Sequence, residues 1–217
     1  MGGRAKVFMD LGGVPMLVHA HRTLTGSRDL AGVVILVPEA DVDTASALVA
    51  SEGAKTRTLV AVGGDTRQES VRRGLEVLPE QADIVLCHDA ARPFASLALL
   101  ERVTARLLGG GTGVDGVVPV VASPDTVKRV RDGMVVETIR REELGLVQTP
   151  QAFRRRALED AHRQADRSGL LATDDAMLLE SAGYRIAVVE GEQANFKITT
   201  LEDLRRAEHL LAREGSA

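Results

Sequence analysis

The sequence predicts an α/β fold built on a mostly parallel sheet, and three observations predict it. Short apolar runs alternate with stretches of helical periodicity, in the order strand, helix, strand, helix, strand, helix. Several of these runs are bounded by Pro or Gly, which punctuate rather than continue them. The 217 residues are 44% hydrophobic and 27% charged, with no low-complexity tract, repeat or linker, which suits one globular α/β domain.

The elements follow in order. Leu11-Gly12-Gly13-Val14-Pro15 is a turn, and helical periodicity runs from Met16 to Leu24 with Pro15 at its first turn. Leu30 to Val37 reads as a buried strand closed by Pro38, Asp41 to Ala50 as a helix, and Thr58 to Val62 as a strand ending at Gly63-Gly64. A helix opens over Asp65 to Ser70, where Thr66 and Glu69 fit a capping box, and runs to about Leu78. Asp83 to Cys87 is a strand, and Ser96 to about Leu108 is a helix stopped by Gly109-Gly110-Gly111. The next strand is Asp115 to Val121, whose Pro119 suggests a bulge or a place near the sheet edge.

The alternation then breaks. Two alternating runs, Thr126 to Val130 and Met134 to Ile139, flank Arg131-Asp132-Gly133, a hairpin signal. So small a ribbon is marginal alone. It packs either on a second subunit or back on its own domain. Helices are expected from about Ala152 to Arg167 and from Thr173, an N-cap followed by two acids. Arg185 to Val189 is a strand, Asn195 to Ile198 is extended, and Thr200 caps a final helix to about Arg213.

Composition narrows the function. The net charge of −4 supplies no field for nucleic acid or an anionic membrane. Aromatics at 2% offer no stacking platform. Cys87 is the single cysteine, so neither an intramolecular disulfide nor a multi-cysteine zinc site is open, and its apolar run reads as a buried, inert thiol. No apolar run approaches the roughly 20 residues that span a bilayer, and no signal peptide pattern opens the chain. A soluble cytoplasmic protein is the expectation.

The organising stretch is Ile84-Val85-Leu86-Cys87-His88-Asp89-Ala90-Ala91-Arg92-Pro93. It presents Asp89 and Arg92 just past the C-terminal end of a strand, where open α/β sheets bind ligands. A turn pinned by an Asp89–Arg92 ion pair is the alternative, and both stand at this point.

Seven pieces in order carry a resemblance. They are Lys6 with Leu11-Gly12-Gly13; Gly63-Gly64-Asp65-Thr66-Arg67-Gln68-Glu69-Ser70-Val71; His88 to Pro93; Asp125-Thr126-Val127-Lys128; Gln148-Thr149-Pro150-Gln151; Thr173-Asp174-Asp175; and Asn195-Phe196-Lys197-Ile198-Thr199. Together they resemble the 2-C-methyl-D-erythritol 4-phosphate cytidylyltransferases, within the Rossmann-like nucleotidyltransferases. The resemblance implies a single nucleotidyltransferase domain over residues 1–217. It implies a mostly parallel twisted sheet with helices on both faces, and a projecting β-hairpin dimerisation arm at about 123–146. The implied reaction is attack by the methylerythritol phosphate on the α-phosphorus of CTP. Pyrophosphate leaves and Mg²⁺ assists, in the non-mevalonate isoprenoid pathway.

The same resemblance assigns roles. Lys6 and Lys197 are the implied catalytic lysines, with Asp89 and Arg92 beside them and Asp89 as metal ligand. Gly64, Asp65 and Ser70 are the implied cytosine readers, and Asp89 with Ala90 the ribose region. Thr149, Thr173 and Lys197 are implied for the acceptor, with Thr126 and Arg141 reaching a partner's acceptor phosphate in a homodimer.

The N-terminus departs from the pattern. The family opens with an apolar strand and a glycine-rich loop bearing an arginine, before a Pro-Lys pair. Here that arginine would fall before Met1, the proline is Ala5, and Arg4 is wrongly spaced to replace the charge. The expectation is a missing first strand, two unpaired inner sheet edges, and a native start upstream of Met1. Two rival readings stay open: a cytidylyltransferase for another polyol phosphate such as ribitol 5-phosphate, and a truncated, non-catalytic nucleotide-binding protein.

Overall fold

The computed structural model of the chain describes residues 6–109, 111 and 113–214. The readings made at Arg4 and Ala5, and at Gly110, lie outside these residues. Among them, no helix is long and apolar enough to cross a membrane.

The chain enters through a 3-10 turn, Lys6–Phe8. Strands β1 (Asp10–Leu11) and β2 (Val14–Pro15) then pair across Gly12 and Gly13, whose φ angles of +62° and +81° suit glycine. Helix α1 (Met16–Gly26) starts directly after Pro15, as expected. Strand β3 (Val33–Val37) is shorter than the apolar run from Leu30. Its one partner among the described residues, β4 (Thr58–Val62), begins opposite Val33, so the ladder does not reach the residues before Val33. Helix α2 (Val42–Ser51) covers this parallel pair, and Leu17, Val33, Ile35, Val37 and Ala45 form the core beneath.

Helix α3 (Arg67–Val77) leads to β5 (Ile84–Cys87), and α4 (Leu97–Gly109) to β6 (Gly116–Ala122). The ribbon of β7 (Val127–Arg131) and β8 (Met134–Ile139) follows, then β9 (Gly145–Val147) and β10 (Gln151–Arg154). Helices α5 (Arg155–Ser168) and α6 (Asp175–Ser181), strand β11 (Ile186–Glu190) and helix α7 (Leu201–Glu214) complete the order.

The larger sheet is mixed, in the order β11-β6-β10-β5, with β9 also on β6. β11 runs parallel to β6, whereas β10 is antiparallel to both β5 and β6. This corrects the expected start of a helix at Ala152. Ala152 and Phe153 are fully buried in the sheet, and the helix begins only at Arg155. A four-residue apolar strand has the same pattern as the first turn of the helix it runs into. Pro119 is likewise no edge residue. β6 is flanked on both sides, and Pro119 falls where its antiparallel partner changes from β10 at Val117 to β9 at Val120.

The β3–β4 pair shares no ladder with this sheet, so β3 and β5 each have one side unpaired among the described residues. The ribbon turns through Asp132 and Gly133 at φ +48° and +76°, the twist a two-residue hairpin favours. Among the described residues its strands pair only with each other. Val130, Met134, Val135 and Val136 are each more than half exposed, so the ribbon is not folded back on its own domain.

Candidate active site

Strand β5 ends at Cys87, and His88 and Asp89 follow it. The thiol of Cys87 is buried and free, and burial pushes its pKa up, in keeping with an inert core residue. Asp89 opens a turn in which the Arg92 N–H donates to the Asp89 carbonyl at 2.9 Å. The Asp89 carboxylate faces two cations: Lys197 Nζ lies 2.7 Å from Oδ2 and Arg67 Nε 3.1 Å from Oδ1. Burial works against this carboxylate, yet the Lys197 hydrogen bond and the Arg67 charge outweigh it and hold its pKa below the ordinary range.

Arg92 takes no part in that pairing. Its guanidinium donates to the Asn195 carbonyl at 2.8 Å and the Val147 carbonyl at 3.1 Å, and burial lowers its pKa. Of the two readings of Asp89 and Arg92, the structure therefore excludes a side-chain ion pair across the turn. Arg92 instead clamps the end of β9 and the segment before Lys197 to the loop after β5.

The Lys197 segment is fixed at three further points. Ile198 N–H donates to the Ala91 carbonyl at 2.9 Å. Lys6 Nζ donates to the Thr199 carbonyl at 2.8 Å, which brings the two predicted lysines to one segment. Asp203, in the first turn of α7, accepts from the N–H and hydroxyl of both Thr199 and Thr200. Those bonds depress its carboxyl pKa strongly.

Thr149 precedes Pro150 through a cis peptide bond and is buried. Its hydroxyl accepts the Asp89 N–H at 3.0 Å and lies 3.0 Å from His88 Nδ1. The structure thus ties Thr149 to the backbone of Asp89.

The loop between β4 and α3 holds Gly64, Asp65 and Ser70. Gly64 N–H donates to Ser70 Oγ at 2.9 Å, and Ser70 Oγ donates to the Thr66 carbonyl at 2.8 Å. Thr66 caps α3 by accepting from Glu69 N–H, as expected, but the Glu69 carboxylate reaches back to Asp65 N–H, one residue earlier than a capping box requires. The Asp65 side chain is left exposed.

Arg67, in the first turn of α3, joins this loop to Asp89. Its Nη1 also reaches Asp175 Oδ2 at 2.7 Å, in the first turn of α6. Sequence reasoning missed both residues. The available signal was a cation at a helix N-terminus, where the helix dipole disfavours it unless anions lie close.

Three predicted acceptor residues lie apart. Thr173 is exposed, and the N-cap of α6 is Asp174, which accepts from Met177 N–H; this corrects the assignment of the cap to Thr173. Asp174 has the extended backbone of an N-cap, while the Thr173 hydroxyl lies 3.8 Å from Met177 Sδ. Thr126 is exposed just before β7, and Arg141 donates to the Pro124 carbonyl at 3.2 Å across the ribbon's base. Neither hydrogen-bonds to Asp89 or Lys197 within the chain. Among the described residues, no group of three or more His, Cys, Asp or Glu could hold a metal by itself.

Comparison with known proteins agrees with this geometry. The sequence profile of the 2-C-methyl-D-erythritol 4-phosphate cytidylyltransferases matches residues 1–213. The enzyme of that name from Halalkalibacterium halodurans is 40% identical over 97% of this chain and 90% of its own. The crystal structure of 4-diphosphocytidyl-2C-methyl-D-erythritol synthase from Anaerococcus prevotii superposes with a TM-score of 0.85 at 30% identity, over 94% of this chain and 88% of that one. The cytidylyltransferase from Thermus thermophilus gives 0.77 at 37% identity, over 95% and 94%.

Proposed function

The chain belongs to the 2-C-methyl-D-erythritol 4-phosphate cytidylyltransferase family, a family of Rossmann-like CTP-dependent nucleotidyltransferases of isoprenoid synthesis, and from that premise we propose how its residues divide the reaction. The acceptor phosphate forms a P–O bond to the α-phosphorus of CTP as the bond to the β-phosphate bridge breaks and pyrophosphate leaves. No covalent nucleophile is needed, because the attacking phosphate is already anionic. The work is to bring two anions together in line and to stabilise the charge that builds on phosphorus.

The observation that carries this reading is Lys197 held at 2.7 Å from Asp89 beside the Lys6–Thr199 bond. Lys197 turns from Asp89 to the α-phosphate, and Lys6 meets the triphosphate. Gly64, Asp65 and Ser70 read the cytosine, with Asp89 and Ala90 against the ribose. Arg92 keeps the two sides of the cleft in register. Thr149 and Thr173 belong to the acceptor side.

The donor set fits Mg²⁺ carried by the nucleotide, since that ion commonly takes one or two carboxylates together with substrate phosphates and water. Asp89 is the residue that would hold it. The ion supplies charge neutralisation at the phosphates.

The exposed ribbon supports a homodimer in which Thr126 and Arg141 of one subunit serve the acceptor site of the other. The unpaired Cys87 thiol accords with a cytoplasmic location. Pyrophosphate release from CTP tests the reading, with 2-C-methylerythritol 4-phosphate and ribitol 5-phosphate as separate acceptors. Release with the first alone is expected. Release with the second alone moves the enzyme to the other polyol phosphate.

A further inference from the structure

Asp175 is the most deeply buried carboxylate at this end of the sheet, with 0% of its surface exposed. It opens α6, whose Ala176, Leu178 and Leu179 belong to the apolar core. A buried carboxylate is costly unless paired, and such a pair often stabilises no more than an apolar replacement would. Burial pushes the Asp175 pKa upward, but His162 and Arg67 more than compensate and hold it low. His162 Nε2 lies 3.5 Å from Oδ1, too far for a good hydrogen bond, and Nη1 of Arg67 at 2.7 Å from Oδ2 is the close contact. Arg67 in turn spends its Nε on Asp89 Oδ1. The ions form a line from the core outward: Asp175, Arg67, Asp89, Lys197.

We propose that Arg67 is a positioning residue for cytidylyl transfer. Anchored by Asp175, it fixes the rotamer of Asp89 and so the point from which Lys197 acts. A guanidinium fork bridges two carboxylates at once, which an ammonium point charge does not do in a fixed geometry. The buried Asp175 is then explained as the fixed end of the bridge. The proposal rests on the roles given above to Asp89 and Lys197.

The test is a double-mutant cycle on kcat and KM for CTP, with thermal unfolding of every variant. Arg67→Met is expected to lower kcat by about 10- to 100-fold while KM changes less than about threefold, as for a small misplacement of a reacting group. Arg67→Lys is expected to recover little of that loss. In an Asp89→Asn background, Arg67→Met is expected to cost less than about a further twofold, because both changes remove one pathway. Losses that multiply, or full recovery by Arg67→Lys, overturn the proposal. If Arg67→Met fails to fold, Asp175→Asn removes the anchor with its shape kept, and the same cycle is read with it. Lys197→Ala runs alongside: turnover at the wild-type level defeats the role of Lys197, whereas the Arg67–Asp89 cycle still gives its own answer.

Discussion

The Thr149 hydroxyl lies 3.0 Å from His88 Nδ1, and the far side of the ring settles which of the two donates. His88 Nε2 lies 3.2 Å from the Arg92 carbonyl, which can only accept, so Nε2 is the protonated nitrogen and Nδ1 accepts from Thr149. The same hydroxyl oxygen receives the Asp89 N–H. Burial disfavours the charged ring and lowers the His88 pKa to about 4, so the imidazole is neutral in this chain of bonds.

Stability therefore falls with acid in a defined window. The unfolded imidazole takes a proton near its ordinary value of 6.5, but the folded one waits until about 4. The contribution is whole above 6.5 and drains away between those values as pH falls, on the order of 3 kcal/mol for the full interval. His21, also lowered by burial, adds in the same direction. Urea unfolding at pH 7.5 and pH 4.5 measures the loss, and His88→Gln should reduce it. An unchanged slope in that variant would remove His88 from the account.

Lys197→Ala should lower kcat for pyrophosphate release by about 10²- to 10³-fold, the usual cost of removing a group that stabilises transition-state charge. The exposed end of the pair contributes little to folding, so stability should change by less than about 1 kcal/mol. A variant that turns over normally contradicts the role.

Arg92→Lys should destabilise by about 1.5–3 kcal/mol, since a lysine cannot hold the carbonyls of Asn195 and Val147 together. Thermal unfolding reads the stability. A fall in kcat/KM should accompany it, because the clamp sets the distance between the loop after β5 and the Lys197 segment. Retention of both would show that the clamp is dispensable.

Met134→Glu combined with Val136→Lys should leave a folded monomer by sedimentation, because these side chains lie outside the core. The monomer should lose acceptor turnover if Thr126 and Arg141 act in the partner's site. A dimer that persists would place the interface elsewhere.

Strands such as Thr58–Val62 were legible in the sequence because an apolar run between turn signals has few other uses. Asp89 was legible too, as a carboxylate just past a buried strand. β10 was not, because its Gln151–Arg154 run merges into α5 with no Pro or Gly between them. The split between Arg92 and Arg67 was hidden for a different reason. Arg67, which faces Asp89, also pairs with Asp175, 108 residues away, and local pattern carries no information across that distance. Lys197 became legible only through its flanking residues, since a lone lysine reads as solvated.

The pairing of Ala122 with Gly145, followed by Val121 with Leu146 and Val120 with Val147, closes the base of the arm within the sheet itself. Everything between those two residues is topologically a detachable cassette: its ends already stand at the spacing that a tight turn bridges. The arm can lengthen, shorten or change partner without shifting the strand register that seats Asp89 and Thr149. Thr126 and Arg141 travel with this cassette while Asp89, Thr149 and Lys197 stay with the scaffold, so a foreign hairpin grafted between Ala122 and Gly145 exchanges the partner and the acceptor residues together and leaves the nucleotide side in place.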